Sequence, residues 1–495
     1  MELFHSNTTQ TRLVPGRKHA LRGLCYNGGA MPTRIFRFGL FILSAAFCGA
    51  VMLGFVASAQ STKDAPSQSS ETRSEIVLIF PFENESRMAN LAWLGEGLSE
   101  MTAERLQDRE VNVLSREDRL ATLEKMGLPD SARFSHATII KIAGEADADA
   151  VVYGRYQSDG KTATLEARVL RLSPPSLSPP LTETSNLQDL PRAHARLTWK
   201  IVCALDQKLC PQQGANRDES SFSEPPPSLR LDALENLVRG LTVSQDDERL
   251  RLLREAARLE PAWDRPAFEL GEIYFKRRDC DSALVWYSRV PPNRPDGAES
   301  SFATGVCHLS RNDAGRAEAA FSGLLERTRK IGERGWLPEL PEMHNNLGVA
   351  RLRLGKWNEA GTEFERASAL DQEEPDYLVN IAITKIIGKQ AAAAVAPLEH
   401  ARKINPDDKE AKALLIATLE SLGRNPEAAA IRAEGAGNAD KAPPPNLQDG
   451  NGLARLARVS KNLDRTLLRP GAEVPEGQAP AGKGPRKIDS GGALP

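Results

Sequence analysis

The residues that could do chemistry are scattered rather than gathered. The seven histidines are His5, His19, His136, His194, His308, His344 and His400, and no two have the spacing of metal ligands. No Cys-x-x-Cys occurs, no Gly-x-Ser-x-Gly elbow, and no phosphate-cradling Gly-x-x-x-x-Gly-Lys-Ser/Thr loop. Gly95-Glu96-Gly97 could open a dinucleotide loop, but the third glycine is missing and the pair stands well past the preceding apolar run. It reads as a tight start to a helix. His344, beside Asn345 and Asn346, is the one histidine near a candidate binding face and reads as an ordinary exposed polar group. No cofactor, metal or catalytic residue is expected. Four cysteines follow residue 60: Cys203, Cys210, Cys280 and Cys307. Cys203 and Cys210 can bridge only if a helix ends between them, because seven helical residues span about 10 Å. Free thiols are the alternative for all four.

Chemistry being absent, the elements and their order must carry the function. The 495 residues exceed one ordinary domain. With 40% hydrophobic and 26% charged residues the chain is globular, and its net charge of −2 supplies no basic field for nucleic acid. Residues 38–59 carry no charge, follow Arg34 and Arg37, and end in Ala57-Ser58-Ala59. That pattern predicts an export segment over residues 1–60, either a cleaved signal or a retained anchor. Both place the rest of the chain beyond the inner membrane, in the periplasm or at its periplasmic face. Membrane contact is expected through residues 38–59 if they are kept. Phe47 before Cys48 is too large for a lipid-attachment motif, and Met1 and Met31 are both candidate starts.

Small residues recur with a fixed step. Gly271 and Gly305 are 34 apart, as are Gly348, Ala382 and Ile416, with nine extra residues between the two sets. Ala283, Ala317, Ala360, Ala394 and Ala428 keep phase, followed four residues on by Tyr287, Phe321, Phe364 and Leu398. Pro261, Pro295 and Pro406 close several units. A 34-residue step with two short helices is a solenoid signature, and the small residues are expected to let helix backbones approach.

With Leu270, Gly271, Tyr274, Ala283, Tyr287 and Pro295 in place, this region resembles the tetratricopeptide repeat family. The units are 264–297, 298–331, 341–374, 375–408 and 409–436, led by a degenerate unit at 229–261. The resemblance implies a concave face lined by each first helix, binding a protein or peptide segment. Carried over, the lining is Arg265, Phe268, Glu272, Phe275 and Lys276, then Phe302, Val306 and Leu309. Asn345, Asn346, Val349 and Leu352 follow, then Val379, Asn380 and Ile383. Asn346 and Asn380 hold one position in neighbouring units. Their amides could grip an extended backbone as rungs, or bond only their own scaffold. The basic set that clamps a terminal carboxylate in some members is incomplete, and the lining suits an apolar or amphipathic segment.

Before the repeats, residues 75–210 read as βαβααββα, an α/β sandwich with a mixed sheet. The apolar run 76–82, the Leu94–Leu106 helical spacing, and a hairpin about Ser158-Asp159-Gly160 carry it. Val77-Leu78-Ile79-Phe80-Pro81-Phe82, Trp93-Leu94-Gly95-Glu96-Gly97-Leu98, Val113-Leu114-Ser115-Arg116 and Val151-Val152-Tyr153-Gly154 are similar to the TolB-type domain of bacterial envelope proteins, akin to FlgO-like and CsgG-like domains. That resemblance implies a non-catalytic role through protein contacts.

The fold class expected is thus an α/β sandwich followed by an all-α tetratricopeptide solenoid, 229–436, across a linker at 211–228. Residues 437–495 read as a disordered tail with a short helix at 451–468, which docks back or binds a membrane surface. The function expected is an exported, non-catalytic interaction scaffold of the cell envelope. The alternative is a membrane-anchored sensory or regulatory component.

Overall fold

The computed structural model describes residues 75–206 save 87, 110, 131 and 132; residue 222; 229–332 save 295; 339–434; and 445–463. The export segment, most of the 211–228 stretch and the Gly/Pro-rich end lie outside the described residues. Among those described, no helix is long and apolar enough to cross a membrane.

A seven-stranded mixed sheet comes first, made of β1 (Ile76–Ile79), β2 (Glu83–Asn84), β3 (Asn112–Val113), β4 (Ala150–Ser158), β5 (Thr162–Leu172), β6 (Pro175–Leu177) and β7 (Leu181–Asn186). β1 is parallel to β3 and β4, while β4 and β5 form an antiparallel hairpin. Side chains alternate across β1. Val77 and Ile79 join one core, Ile76 and Leu78 the other. Both faces are covered, which is why the strand reads as an unbroken apolar run. Helices α1 (Leu94–Gln107) and α4 (Leu190–Leu205) bury Leu98 and Leu197 on the first face. Helices α2 (Arg116–Lys125) and α3 (His136–Glu145) bury Leu123 and Ile142 on the second.

The expected order omitted β2, β6 and β7. Prolines at 174, 175, 179 and 180 argue against strand, yet here they begin or flank short edge strands, where a missing N–H costs nothing. The glycine pair does start a helix tightly. Gly95 accepts from Phe82 N–H at 3.0 Å, and a Cβ there would strike the Phe82 carbonyl oxygen.

The solenoid is a run of helical pairs: α5 (Leu231–Thr242) with α6 (Asp246–Leu259), α7 (Arg265–Lys276) with α8 (Cys280–Tyr287), and α9 (Gly297–Ser310) with α10 (Ala314–Gly332). Next come α11 (Pro341–Arg353) with α12 (Trp357–Leu370), α13 (Pro375–Ile387) with α14 (Ala391–Ile404), and α15 (Lys409–Ser421) with α16 (Asn425–Ala433). The period is stamped on the backbone too. Arg278, Asn312, Gly355, Lys389 and Gly423 all have φ between 58° and 76°, each in the turn joining the two helices of its pair.

The reason for the small residues differs from the one expected. A Cβ at Gly271 would meet the Tyr287 ring at 2.5 Å, one at Gly305 the Phe321 ring at 2.5 Å, and one at Gly348 the Phe364 ring at 2.6 Å. Each glycine makes room for an aromatic side chain of its own pair, not for a neighbouring backbone. Where the ring is replaced by Leu398, the small residue becomes Ala382.

Sheet and solenoid share one continuous apolar core, running through α1, α4, α5 and α6 to α7 and α8. Ion pairs cross the same seam. Arg294 bonds Glu104 at 2.7 Å, Asp108 at 2.8 Å and Asp264 at 2.8 Å. Burial pushes the Glu104 carboxyl up to about 7, with the Asp108 and Asp264 charges adding to it and Arg294 opposing. A disulfide joins Cys280 in α8 to Cys307 in α9, and Cys203 is also disulfide-bonded, so the free-thiol alternative fails for these three.

Candidate functional site

Helix α17 (Gly450–Leu456) returns to the solenoid and packs on α11 and α13. Asp449 caps it through Gly452 N–H at 2.9 Å. Leu453, Ala454, Ala457 and Leu463 bury themselves in the core of the later repeats. The chain leaves the helix at Ala457 with φ −60° and ψ 133°, and from there to Leu463 it forms no further helix. Of the two readings open for this segment, docking back is the one seen.

Three buried asparagines hold this chain by its backbone. Asn380 donates to Arg458 C=O at 2.9 Å, and its Oδ1 accepts from Arg458 N–H at 2.8 Å. Asn346 does the same two residues on, donating to Ser460 C=O at 2.8 Å and accepting from Ser460 N–H at 2.8 Å. An amide group matches the N–H and C=O of one residue as a strand edge does, and residues i and i+2 of an extended chain face the same way. Asn345 braces the pair. Its Nδ2 reaches Arg458 C=O and Ser460 Oγ, both at 3.0 Å, and its Oδ1 accepts from Asn380 at 2.8 Å. The rung and scaffold readings of the asparagines therefore coexist. The tail runs against the order of the repeats: Ser460 lies on α11 and Arg458 on α13.

Besides the Ser460 hydroxyl, one charged side chain is read. The Arg458 guanidinium pairs with Asp376 at 2.6 Å and with both oxygens of Asp408, at 2.5 and 2.9 Å, with Glu410 at 3.8 Å. Asp408 also caps α15 through Ala411 N–H at 3.0 Å. Burial raises its carboxyl, but the Arg458 and Ala411 hydrogen bonds outweigh that and hold it below the usual range. Burial opposes the charge on Arg458, and the two aspartates more than restore it. Tyr377, almost fully buried and hydrogen-bonded to Ser460, is pushed upward by burial and by the charge of Glu342. This centre is polar and acidic at one end, not the apolar lining expected.

The other expected lining residues divide. Val349, Leu352, Val379 and Ile383 lie in the core that receives Leu453, and Phe302, Val306 and Leu309 pack at its earlier end. Phe302 stacks edge-on against Phe321. Those of the first unit are not brought to the tail. Arg265 pairs with Glu269 and Asp296 and reaches Glu100 of α1 at 3.5 Å, with Phe268 beneath its guanidinium. Glu272 accepts from Tyr287 at 2.7 Å, Phe275 packs on the same ring, and Lys276 stands 4.0 Å from Glu272.

His344 is not an exposed group. It is 1% exposed, held between Glu363 at 2.6 Å and Glu339 at 3.0 Å. Burial opposes its protonation, but the two carboxylates win and raise its pKa. Its hydrogen bond, with that of Arg329, draws Glu339 down to about 2. Among the described residues no group of histidine, cysteine or carboxylate side chains could hold a metal ion.

No protein-family model and no curated protein matches the chain. Among solved structures it is similar to PilW, described as a widely conserved type IV pilus biogenesis factor. The identity is 17%, over 44% of this chain and 96% of that one, with a TM-score of 0.35. It is also similar to YrrB, described as a TPR protein with an unusual peptide-binding site. There the identity is 16%, over 39% and 92% of the two chains, with a TM-score of 0.31. The carboxy-terminal domain of LpoB from Salmonella enterica shares 12% identity over 24% and 86%, with a TM-score of 0.21.

Proposed function

We propose that the chain is an exported, non-catalytic scaffold of the bacterial cell envelope, whose tetratricopeptide groove over α11, α13 and α15 holds an extended partner segment. The observation that carries this reading is the pair of asparagines, 34 residues apart, that bond the N–H and C=O of Arg458 and Ser460. Contacts of that kind grip any extended chain. Export is supported by the uncharged run at 38–59, and the Cys280–Cys307 disulfide suits an oxidising compartment. The TolB-type reading of the first domain rests on its sequence resemblance. A membrane-anchored regulatory component is the second reading, favoured by the core that runs unbroken from sheet to solenoid.

Capture from solubilised envelope tests the proposal. The full chain with Arg458→Glu, which weakens the tail's hold, should capture a partner better than the wild type. Adding Asn346→Ala and Asn380→Ala should abolish capture. Equal capture by all three baits would remove the groove from the account.

A further inference from the structure

We infer that the groove selects an arginine-bearing extended segment, with the guanidinium between Asp376 and Asp408, and that residues 447–463 are a tethered competitor for the same place. The inference rests on the peptide-binding reading above and adds ligand chemistry to it.

The polar contacts of the tail separate into those to its backbone and those to its side chains. Asn346 and Asn380 bond the tail only through its backbone and are indifferent to its sequence. The Ser460 hydroxyl meets Asn345 at 3.0 Å and Tyr377, and Arg458 is the charged side chain that is discriminated. It is 14% exposed, forked onto Asp408, and paired with Asp376 on the neighbouring first helix. A planar fork against carboxylates from two helices is a geometry that lysine meets poorly and an uncharged side chain not at all. Without a cation, Asp376, Asp408 and Glu410 would face one another. A partner segment must therefore bring an arginine, a residue with a free N–H two positions on to meet Asn346, and small or apolar residues before the arginine, as Leu453, Ala454 and Ala457 are here.

Occupancy by the tail sets the terms of competition. A segment on the same chain competes at an effective concentration on the order of 1 mM. If a free segment making the same contacts binds at about 10 μM, the tail weakens it by about 100-fold.

A fluorescent peptide with the sequence of residues 447–463 is the probe, titrated by anisotropy into three full-length proteins. These are the wild type, Arg458→Glu, and Arg458→Glu with Asp376→Asn and Asp408→Asn; asparagine keeps the helix cap at 408. The expected results are binding about 100-fold tighter to Arg458→Glu than to wild type, and at least tenfold weaker binding when alanine replaces the peptide's arginine at position 458, with Arg455 kept. The two aspartate changes should erase that difference. Equal binding of both peptides by Arg458→Glu would overturn the arginine selection while leaving the asparagine groove standing. Binding to wild type as tight as to Arg458→Glu would overturn the competition. If neither peptide binds an Arg458→Glu protein that melts like wild type, the groove reading itself falls. Should Arg458→Glu not fold, Arg458→Ala takes its place in the same titrations.

Discussion

Replacing Asn346 and Asn380 together by alanine removes the four hydrogen bonds that bind the Arg458 and Ser460 backbones, of 2.8 to 2.9 Å. Each contributes about 1 kcal/mol net, so the docked tail loses about 4 kcal/mol. At 1.4 kcal/mol per factor of ten, the docked-to-released ratio falls by about a thousandfold. Hydrogen exchange reads this directly. The Arg458 and Ser460 amides lose their acceptors and must exchange faster in any case, so the informative amide is Leu453. It bonds Asp449 C=O at 2.9 Å inside α17 and touches neither asparagine. If the rungs hold the tail, Leu453 exchanges between about 100 and 1000 times faster in the double variant, since α17 is too short to persist undocked. An amide within α12, such as that of Phe364, serves as the unchanged reference. Faster exchange at Arg458 and Ser460 with Leu453 unaltered would refute the reasoning. The apolar contacts and the Arg458 ion pairs would then hold the segment by themselves.

Gly348→Ala should cost about 1 to 2 kcal/mol. Its Cβ meets the Phe364 ring at 2.6 Å, and overpacking outweighs the gain of about 1 kcal/mol in helix propensity. Phe364→Leu in the same chain should recover at least about 1 kcal/mol of that in a denaturation double-mutant cycle, and strict additivity would contradict the packing account. His344→Gln should cost about 2 kcal/mol at pH 6, because Glu339 and Glu363 each lose a hydrogen-bonded cation while keeping Arg329 and Arg351. The His344 pKa is raised on folding, so its contribution is complete below about pH 6.5 and is lost as pH rises through the raised value. Thermal melts of wild type and variant should therefore converge at high pH. Arg294→Ala should destabilise the seam between sheet and solenoid more at pH 8 than at pH 6. Glu104, raised to about 7, is favoured protonated in the folded chain, so its contribution is lost as pH climbs through that value. Equal destabilisation at both pH values would sink this assignment.

The repeats were legible because their signal is local. Gly271, Gly305 and Gly348, the alanines from Ala283 to Ala428 and the aromatics after them all act within one helical pair. The asparagines could be singled out for the same reason: Asn346 and Asn380 share a position in adjacent units. What they bond could not be read. Arg458 meets Asn380 across 78 residues, and Ser460 meets Asn346 across 114, with no periodicity linking tail to groove. Asp376 and Asp408 look like ordinary acidic residues at helix starts until the tail places a guanidinium between them. His344 looked exposed because its partners stand 5 residues before it and 19 after, on separate elements. The first-unit residues failed differently. Arg265 has the right helical position, but α1 of the sheet domain brings Glu100 to it. The second domain's contact with the first is set by tertiary packing that repeat spacing does not encode.

The measurement that bears most directly on the central claim is elution of a partner captured by the full-length chain, using an excess of the 447–463 peptide. If tail and partner share the asparagine rungs, the peptide releases the partner, and the peptide with alanine in place of Arg458 does so at least tenfold less well. Retention of the partner under both peptides would contradict the claim and place recognition elsewhere on the molecule.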